Sequence, residues 1–279
     1  MERKQEEHNA SLGVSWVDVH CHVLFGLDDG PRSLSESLEL CKALVADGVG
    51  SVIATPHQLG RFEGLVRAEL IKKKVEQLNN ILKEEQIPLN VYPGADIRLD
   101  ERVLEMLSKG EVLSLAGSRY VLLEIPHEIF LDPLPIVRSL RKEGYLPVIS
   151  HPERHRIVLS NPRVVDSWLS EGAYLQVTAG SLAGHFGKKV QELSFAFVCQ
   201  GKAAFIASDA HNTQDRSPAF TEAALQIAGT IGADALMAFF EKNPRRVLED
   251  EVVEHVAIGP SPQKAKESLS SGENPGRGT

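Results

Sequence analysis

Val17-Asp18-Val19-His20-Cys21-His22 is an apolar run that ends in two histidines one residue apart. In an extended strand successive side chains leave on opposite faces, so His20 and His22 point one way and Cys21 the other. Neutral imidazole is a ligand for zinc and other divalent transition ions, and a strand end holds two of them in fixed relation. Taken alone, the pair reads equally as two half-buried polar residues at a strand terminus. The downstream strand ends separate the two readings.

The same pattern of an apolar run closed by a polar residue recurs along the chain. Gly26-Leu27-Asp28-Asp29-Gly30-Pro31 is a turn-rich loop, after which Ser33 or Ser35 caps a helix running to Asp47. Ser51-Val52-Ile53-Ala54-Thr55 is a short strand with Pro56-His57 just past its end, where proline cannot continue a ladder. Residues 66–85 have helical periodicity and many charges. Residues 89–95 read as the next strand, with Asp96 at its end, and a short helix over 101–107 comes after it. The run Tyr120-Val121-Leu122-Leu123-Glu124-Ile125 carries a carboxylate that is costly to bury unless it is paired or bound to metal. A helix over 133–143 leads to Leu146-Pro147-Val148-Ile149-Ser150 and then His151-Pro152-Glu153-Arg154. A helix over 161–171 precedes the strand 173–178. A helix over 188–199 precedes the strand 203–208, which is followed by Asp209-Ala210-His211-Asn212.

Seven strands separated by helices with short links imply parallel strands joined by helical crossovers. Because nearly every strand ends in His, Asp, Glu or Thr, the fold expected is α/β: a distorted, closed or partly closed (β/α)7 TIM-like barrel with one active rim. Helices over 218–246 should wrap its outside, and no internal repeat is seen. The 279 residues suffice for a large core in one domain, placed at 16–259. Residues 1–15 read as a flexible extension. Residues 260–279, rich in Ser, Gly, Pro and Lys, read as a disordered tail.

A net charge of −8 argues against broad, non-specific binding to nucleic acid. Cys21, Cys41 and Cys199 form no C-x-x-C pair and suit a reducing compartment. The start of the chain lacks the apolar core of a secretory signal, and no apolar segment is long enough to span a bilayer. The expected location is cytoplasmic, without direct membrane insertion.

The polar residues at the strand exits are His20, His22, Asp29, His57, Asp96, Glu124, His151, Asp209 and His211. In a barrel those exits converge on one rim, so all nine would face a common cleft. Nine N/O donors exceed what one tetrahedral zinc uses, which implies two or three ions, with Glu124 placed to bridge two of them. Mixed imidazole and carboxylate donors suit Mn, Fe, Zn or Co better than calcium. Such a site makes hydroxide at neutral pH and clamps phosphoryl oxygens. Arg154 and Arg216 lie in loops on the same rim, where guanidiniums can hold a phosphate bidentately.

Other candidates carry less. A thiolate phosphatase needs Cys-x5-Arg, but the residues six positions after the three cysteines are Leu27, Asp47 and Phe205, so the thiols read as packing residues. His8, His127, His155, His185 and His255 read as surface or structural, with an approach to substrate left open for His155 and His185. Asp18 reads as a partner fixing a ring, and Glu153 and Asp215 as solvated loop charges. Phe62 and Phe186 lie on rim loops within reach of a phenyl ring or of loop packing.

His20-x-His22, His57, Glu124, His151 and Asp209-x-His211 resemble the motif set of the polymerase and histidinol phosphatase (PHP) superfamily. More closely, Asp18-x-His20-x-His22 with Asp28-Asp29-Gly30, Ala54-Thr55-Pro56-His57, His151-Pro152-Glu153-Arg154, Gln176-Val177-Thr178-Ala179-Gly180-Ser181 and Ala207-Ser208-Asp209-Ala210-His211-Asn212 resemble one subfamily. It is that of the bacterial manganese-dependent tyrosine phosphatases encoded with capsule and exopolysaccharide genes. The likeness runs over residues 16–249. It implies a PHP barrel with two or three divalent ions, manganese first and Fe, Co or Zn next, on the nine residues above, and phosphate contacts from Arg154 and Arg216. It implies hydrolysis of phosphotyrosine by a metal-activated hydroxide without a cysteine nucleophile. The implied partner is the tyrosine-rich tail of a membrane-associated autokinase controlling polysaccharide export. One departure is Asp96, where the family usually has glutamate; metal binding is expected to survive the shorter arm. The alternatives are a phosphoesterase of the same superfamily acting on histidinol phosphate, another small phosphomonoester or a nucleic-acid end, and a barrel that has lost its chemistry.

Overall fold

The structure is a computed structural model that describes residues 15–256 and 258. The expected tail at 260–279 and all but the last residue of the expected extension at 1–15 lie outside the described residues. Nine strand pieces succeed one another in chain order: β1 (Trp16–Cys21), β2 (Val49–Ala54), β3 (His57–Gln58), β4 (Asn90–Pro93), β5 (Asp96–Arg98), β6 (Tyr120–Glu124), β7 (Leu146–Ser150), β8 (Tyr174–Thr178) and β9 (Ala203–Ala207). They correspond to the seven expected strands, because two of those strands are broken. Thr55 and Pro56 separate β2 from β3, and Gly94 and Ala95 separate β4 from β5. Pro56 has no N–H to give the ladder, whose last bond to β1 is the Thr55 N–H to the Cys21 carbonyl at 2.9 Å.

All pairings are parallel, as helical crossovers require. The breaks divide the strands into two sheets, β1-β2-β4 and β3-β5-β6-β7-β8-β9. The segment just past the last strand meets the end of the first: Asp209 N–H donates to the His20 carbonyl at 2.8 Å and His22 N–H to the Ala210 carbonyl at 2.9 Å. Of the closed or partly closed ring expected, the structure therefore has the partly closed form, without a continuous ladder. The fold is a distorted (β/α)7 arrangement of parallel sheets opened at the strand breaks and stitched at one seam.

The crossover helices form where apolar periodicity and caps place them. Ser33 Oγ accepts from Glu36 N–H at 3.3 Å and starts the helix Leu34–Ala46. The helix Ala68–Glu84 buries Ala68, Ile71, Val75, Leu78 and Leu82, a single face at spacings of three and four. Leu134–Lys142, Val164–Ser170 and Lys188–Cys199 lie where their patterns put them. Phe220–Ile231 and Asn243–Leu248 come after β9. No helix among the described residues is long and apolar enough to cross a membrane.

Alternation along β6 shows how the core is divided. Val121 and Leu123 join the large cluster under the helices, with Leu40, Ile71, Trp168 and Phe197. Tyr120 and Leu122 join a separate cluster with Ile53, Val148 and Phe205. Each large side chain so buried contributes about 1.5–3 kcal/mol. The Tyr120 hydroxyl donates to the Glu251 carbonyl and accepts from Val253 N–H, both at 2.8 Å, so the C-terminal segment covers that end of the strands. Glu124, two residues beyond Leu122 on the same face, marks the opposite end.

Candidate metal centre

The strand ends opposite the C-terminal strap carry the polar residues. His20 and His22 leave β1 on one face, both buried, while Cys21 points into the apolar core. His57 and Asp96 do not lie past strand ends as expected. They open the resumed strands β3 and β5, directly paired across the ladder. The breaks thus step both side chains toward the rim. Glu124 closes β6, His151 comes just after β7, and Asp209 and His211 just after β9. His151 (φ 31°) and Asp209 (φ 50°) are left-handed, an uncommon state for residues with a Cβ that marks places where surrounding structure dictates the backbone. The loop carrying Asp28 and Asp29 closes tightly on β1, because a Cβ at Gly30 would collide with the His22 carbonyl oxygen.

All nine predicted residues come together. Donor atoms lie within 4.8 Å of one another in five overlapping groups: His22, Asp29, His57 and His211; His20, Asp96 and His151; His20, His22 and Asp209; His57, Asp96 and Glu124; and Glu124, His127 and His151. His127 is exposed, as its surface reading expects, and it also joins one of these groups. It sits on the loop after β6, parallel to the His151 ring with centroids 5.8 Å apart and its Nε2 3.9 Å from Glu124 Oε1.

Hydrogen bonds settle which way the imidazoles face. Gln176 Oε1 accepts from His151 N–H at 3.3 Å, which fixes the amide orientation, and it also faces His20 Nδ1 at 2.9 Å. His22 Nδ1 donates to Asp28 Oδ2 at 2.6 Å, and His211 Nδ1 faces the Asp209 carbonyl at 3.0 Å. Each Nδ1 therefore carries the proton, and each Nε2 turns a lone pair inward. His20 Nε2 and His22 Nε2 are 3.2 Å apart, with Asp209 Oδ1 3.3 and 3.4 Å from them. Three acceptors at that range repel unless a proton or a metal cation lies among them. His211 Nε2 and Asp96 Oδ2 are buried with no hydrogen-bond donor. These atoms fit a set of divalent ions bound by nitrogen and oxygen.

The charge balance agrees. Asp28, Asp29, Asp96, Glu124 and Asp209 crowd the cleft, while Arg154 and Arg216 both bind the same oxygen, Asp209 Oδ2, with Arg216 Nη2 at 2.6 Å. Burial opposes protonation of His22, but Asp28 and Asp209 outweigh it and raise its pKa to about 10. Burial, with Asp96 beside it, pushes Glu124 up to about 7. Burial also works against ionised Asp209, yet Arg216, His20 and Arg154 hold it well below the usual carboxylate range. A divalent cation held by these residues would displace the proton on His22 and lower the pKa of Glu124.

Above this floor opens a cavity walled by His57, Phe62, Arg98, His127, Arg154 and Arg216, among others. Arg216 returns to the rim through a turn in which His211 N–H donates to its carbonyl at 2.9 Å, and its buried Nε has no acceptor. Phe62 lies parallel to His57, with centroids 5.7 Å apart, and Phe186 lies beneath the Arg154 guanidinium at 4.4 Å.

Two readings are corrected. Asp18 touches no ring. Its carboxylate accepts from Ser208 Oγ at 2.5 Å, Ser208 N–H at 3.1 Å and His20 N–H at 3.1 Å, tying β1 to the end of β9, and burial pushes it up to about 7. The ring-fixing partners are instead Asp28 and Gln176, which sequence reading assigns no role beyond membership of a motif. Glu153 is fully buried rather than solvated, and accepts from Thr178 N–H at 3.0 Å and Ser181 Oγ at 2.7 Å. His155 is structural as expected, its ring held by the Pro126 carbonyl and Ile157 N–H, while Asp215 is exposed as expected.

Comparison with known proteins places this geometry. The family described as "Capsular polysaccharide synthesis, CpsB/CapC" matches residues 16–249. The chain is 35% identical to the tyrosine-protein phosphatase YwqE of Bacillus subtilis over 85% of its length and 93% of that protein's. It is 30% identical to the tyrosine-protein phosphatase CpsB of Streptococcus pneumoniae, over 85% of this chain and all of that one. A solved structure described as one of the "unique metal-dependent tyrosine phosphatases" YwqE and CpsB superposes with a TM-score of 0.82 at 34% identity, covering 88% of this chain and 98% of the other. A β-aspartyl dipeptidase of Fervidobacterium islandicum AW-1 shares the fold alone, with a TM-score of 0.53 at 12% identity over 89% of this chain and 77% of that one.

Proposed function

Because the chain belongs to the CpsB/CapC family of capsular polysaccharide synthesis, we propose that it is a metal-dependent protein-tyrosine phosphatase that uses no cysteine nucleophile. The observation that carries the reading is the convergence of inward imidazole lone pairs and carboxylates on the floor of a cavity whose wall includes Arg154 and Arg216. The residues that would hold the ions are His20, His22, Asp29, His57, Asp96, Glu124, His151, Asp209 and His211. The ions would be two or three divalent cations, manganese first. Asp96 fills its place because β5 begins there and carries its carboxylate to His57 and His20, at 3.4 and 3.6 Å. When bound, the ions supply Lewis acidity and an acidified water.

The chain's own groups do the rest. Asp28 and Gln176 keep the His22 and His20 protons on Nδ1. Arg154 and Arg216 hold the phosphoryl oxygens and offset their charge, the unpartnered Arg216 Nε supplying a ready donor. Cys21 and Cys41 are buried, and burial raises their thiols well above neutrality, which suits neither to attack phosphorus. The catalytic unit is residues 16–259, since donors come from β1 through the segment beyond β9. The substrate is the tyrosine-rich tail of a membrane-associated tyrosine kinase of capsule or exopolysaccharide synthesis, met in the cytoplasm. The relatives named above are tyrosine phosphatases, which does not favour histidinol phosphate.

A substrate panel tests this. Manganese-loaded protein should hydrolyse a phosphotyrosine peptide in preference to a phosphoserine peptide and histidinol phosphate, survive thiol alkylation, and lose activity to a chelator. Activity that persists after chelation, or that tracks histidinol phosphate, overturns it.

A further inference from the structure

Arg154 stands on a piece of chain that cannot hold itself in place. β7 ends at Ser150, His151 takes the left-handed conformation, and Pro152–Arg154 is a single 3-10 turn closed by Arg154 N–H to the His151 carbonyl at 3.1 Å. So short a turn has little stability of its own, because its hydrogen bonds barely offset the dihedrals they fix. Its shape must come from what it is tied to.

Two ties flank Arg154. On the β6 side, His155 Nε2 lies 3.1 Å from the Pro126 carbonyl, while its Nδ1 accepts from Ile157 N–H at 3.2 Å. On the β8 side, Glu153 crosses to the next strand exit, where one oxygen accepts from Thr178 N–H and Ser181 Oγ at 3.0 and 2.7 Å. Glu153 and Arg154 are adjacent yet point apart: the acid goes down into the protein and the guanidinium up onto Asp209 and over Phe186.

The acid is expensive where it is. Its side chain is fully buried, and Oε2 has no partner at all. Such a group persists where its hydrogen bonds set geometry that an apolar residue would release. We propose that Glu153 is a positioning residue, which clamps the 152–154 turn to the exit of β8 and so holds the Arg154 guanidinium over the phosphoryl site. The inference rests on the phosphatase reading.

The test is equilibrium binding of inorganic phosphate to the manganese-loaded protein, with metal content and the KM and kcat for a phosphotyrosine peptide measured alongside. Glu153→Asp keeps the acid but shortens its reach by one methylene. It should weaken phosphate binding about tenfold and raise KM, with metal content unchanged. Glu153→Gln, which keeps an accepting oxygen at full reach, should recover most of that loss. In an Arg154→Ala background, Glu153→Asp should cost nothing further, because the clamp then holds no guanidinium. Losses that add in the double variant, or loss of metal with Glu153→Asp alone, would overturn the proposal. If the parent protein binds phosphate but does not hydrolyse phosphotyrosine, the phosphatase reading fails, and the coupling between positions 153 and 154 still tests the clamp.

Discussion

The two sides of the rim are built differently. Around the β1–β9 seam, His20, His22, Asp209 and His211 are at most 2% exposed, and each ring has its Nδ1 assigned to a fixed partner: Gln176, Asp28 or the Asp209 carbonyl. Beside them, toward the cavity, Asp29, Glu124 and His127 keep 37%, 14% and 46% of their side-chain surface. There His57 has only loose neighbours, Asp29, Asp96 and Glu124 at 3.4 to 3.6 Å. A buried, pre-oriented donor set holds an ion without reorganising. A wetter, looser set leaves room for substrate. The seam is the anchoring side and the open wall the working side.

Substitutions on each side can break or sharpen that contrast. The largest effect belongs to the seam: His22→Ala should cost at least about 100-fold in metal affinity, read by elemental analysis after dialysis, and should take phosphotyrosine hydrolysis to background. Arg154→Ala lies above the seam but should keep full metal content while kcat/KM falls about 100- to 1,000-fold, which separates holding the ions from holding the phosphate. Gln176→Ala removes only the orienting partner of His20, and should lower metal affinity about 10- to 100-fold. The smallest effect is expected from His127→Ala on the open wall, less than about tenfold on metal affinity. If His127→Ala strips metal as His22→Ala should, the two sides are equivalent and the division is wrong.

Counting polar residues at strand exits found all nine converging donors, because parallel strands with helical crossovers deliver every exit to one rim whatever the details of packing. The same reasoning missed Gln176 as an orienting partner of His20, 156 positions away in sequence, since a neutral amide inside a strand gives no local sign of its partner. It misread Glu153, which resembles any charged residue of a loop until the β8 exit is seen to receive it. His127 is exposed as its sequence suggests, and its closeness to Glu124 and His151 comes from a loop whose path is set by packing. Asp18 was given a ring to fix, but the ring-fixing acid is Asp28, brought back by the turn at Gly30.

The order of apolar runs, helices and exit residues along the chain determined the fold class and which side chains face the rim, for alternation and crossover handedness are local rules repeated strand by strand. Only the tertiary structure decided the breaks that put His57 and Asp96 at the starts of resumed strands, and the seam that joins β1 to the end of β9. It also decided which nitrogen of each imidazole looks inward. Those depend on hydrogen bonds between residues far apart in sequence, and a buried donor or acceptor finds its partner only after the chain has closed around it.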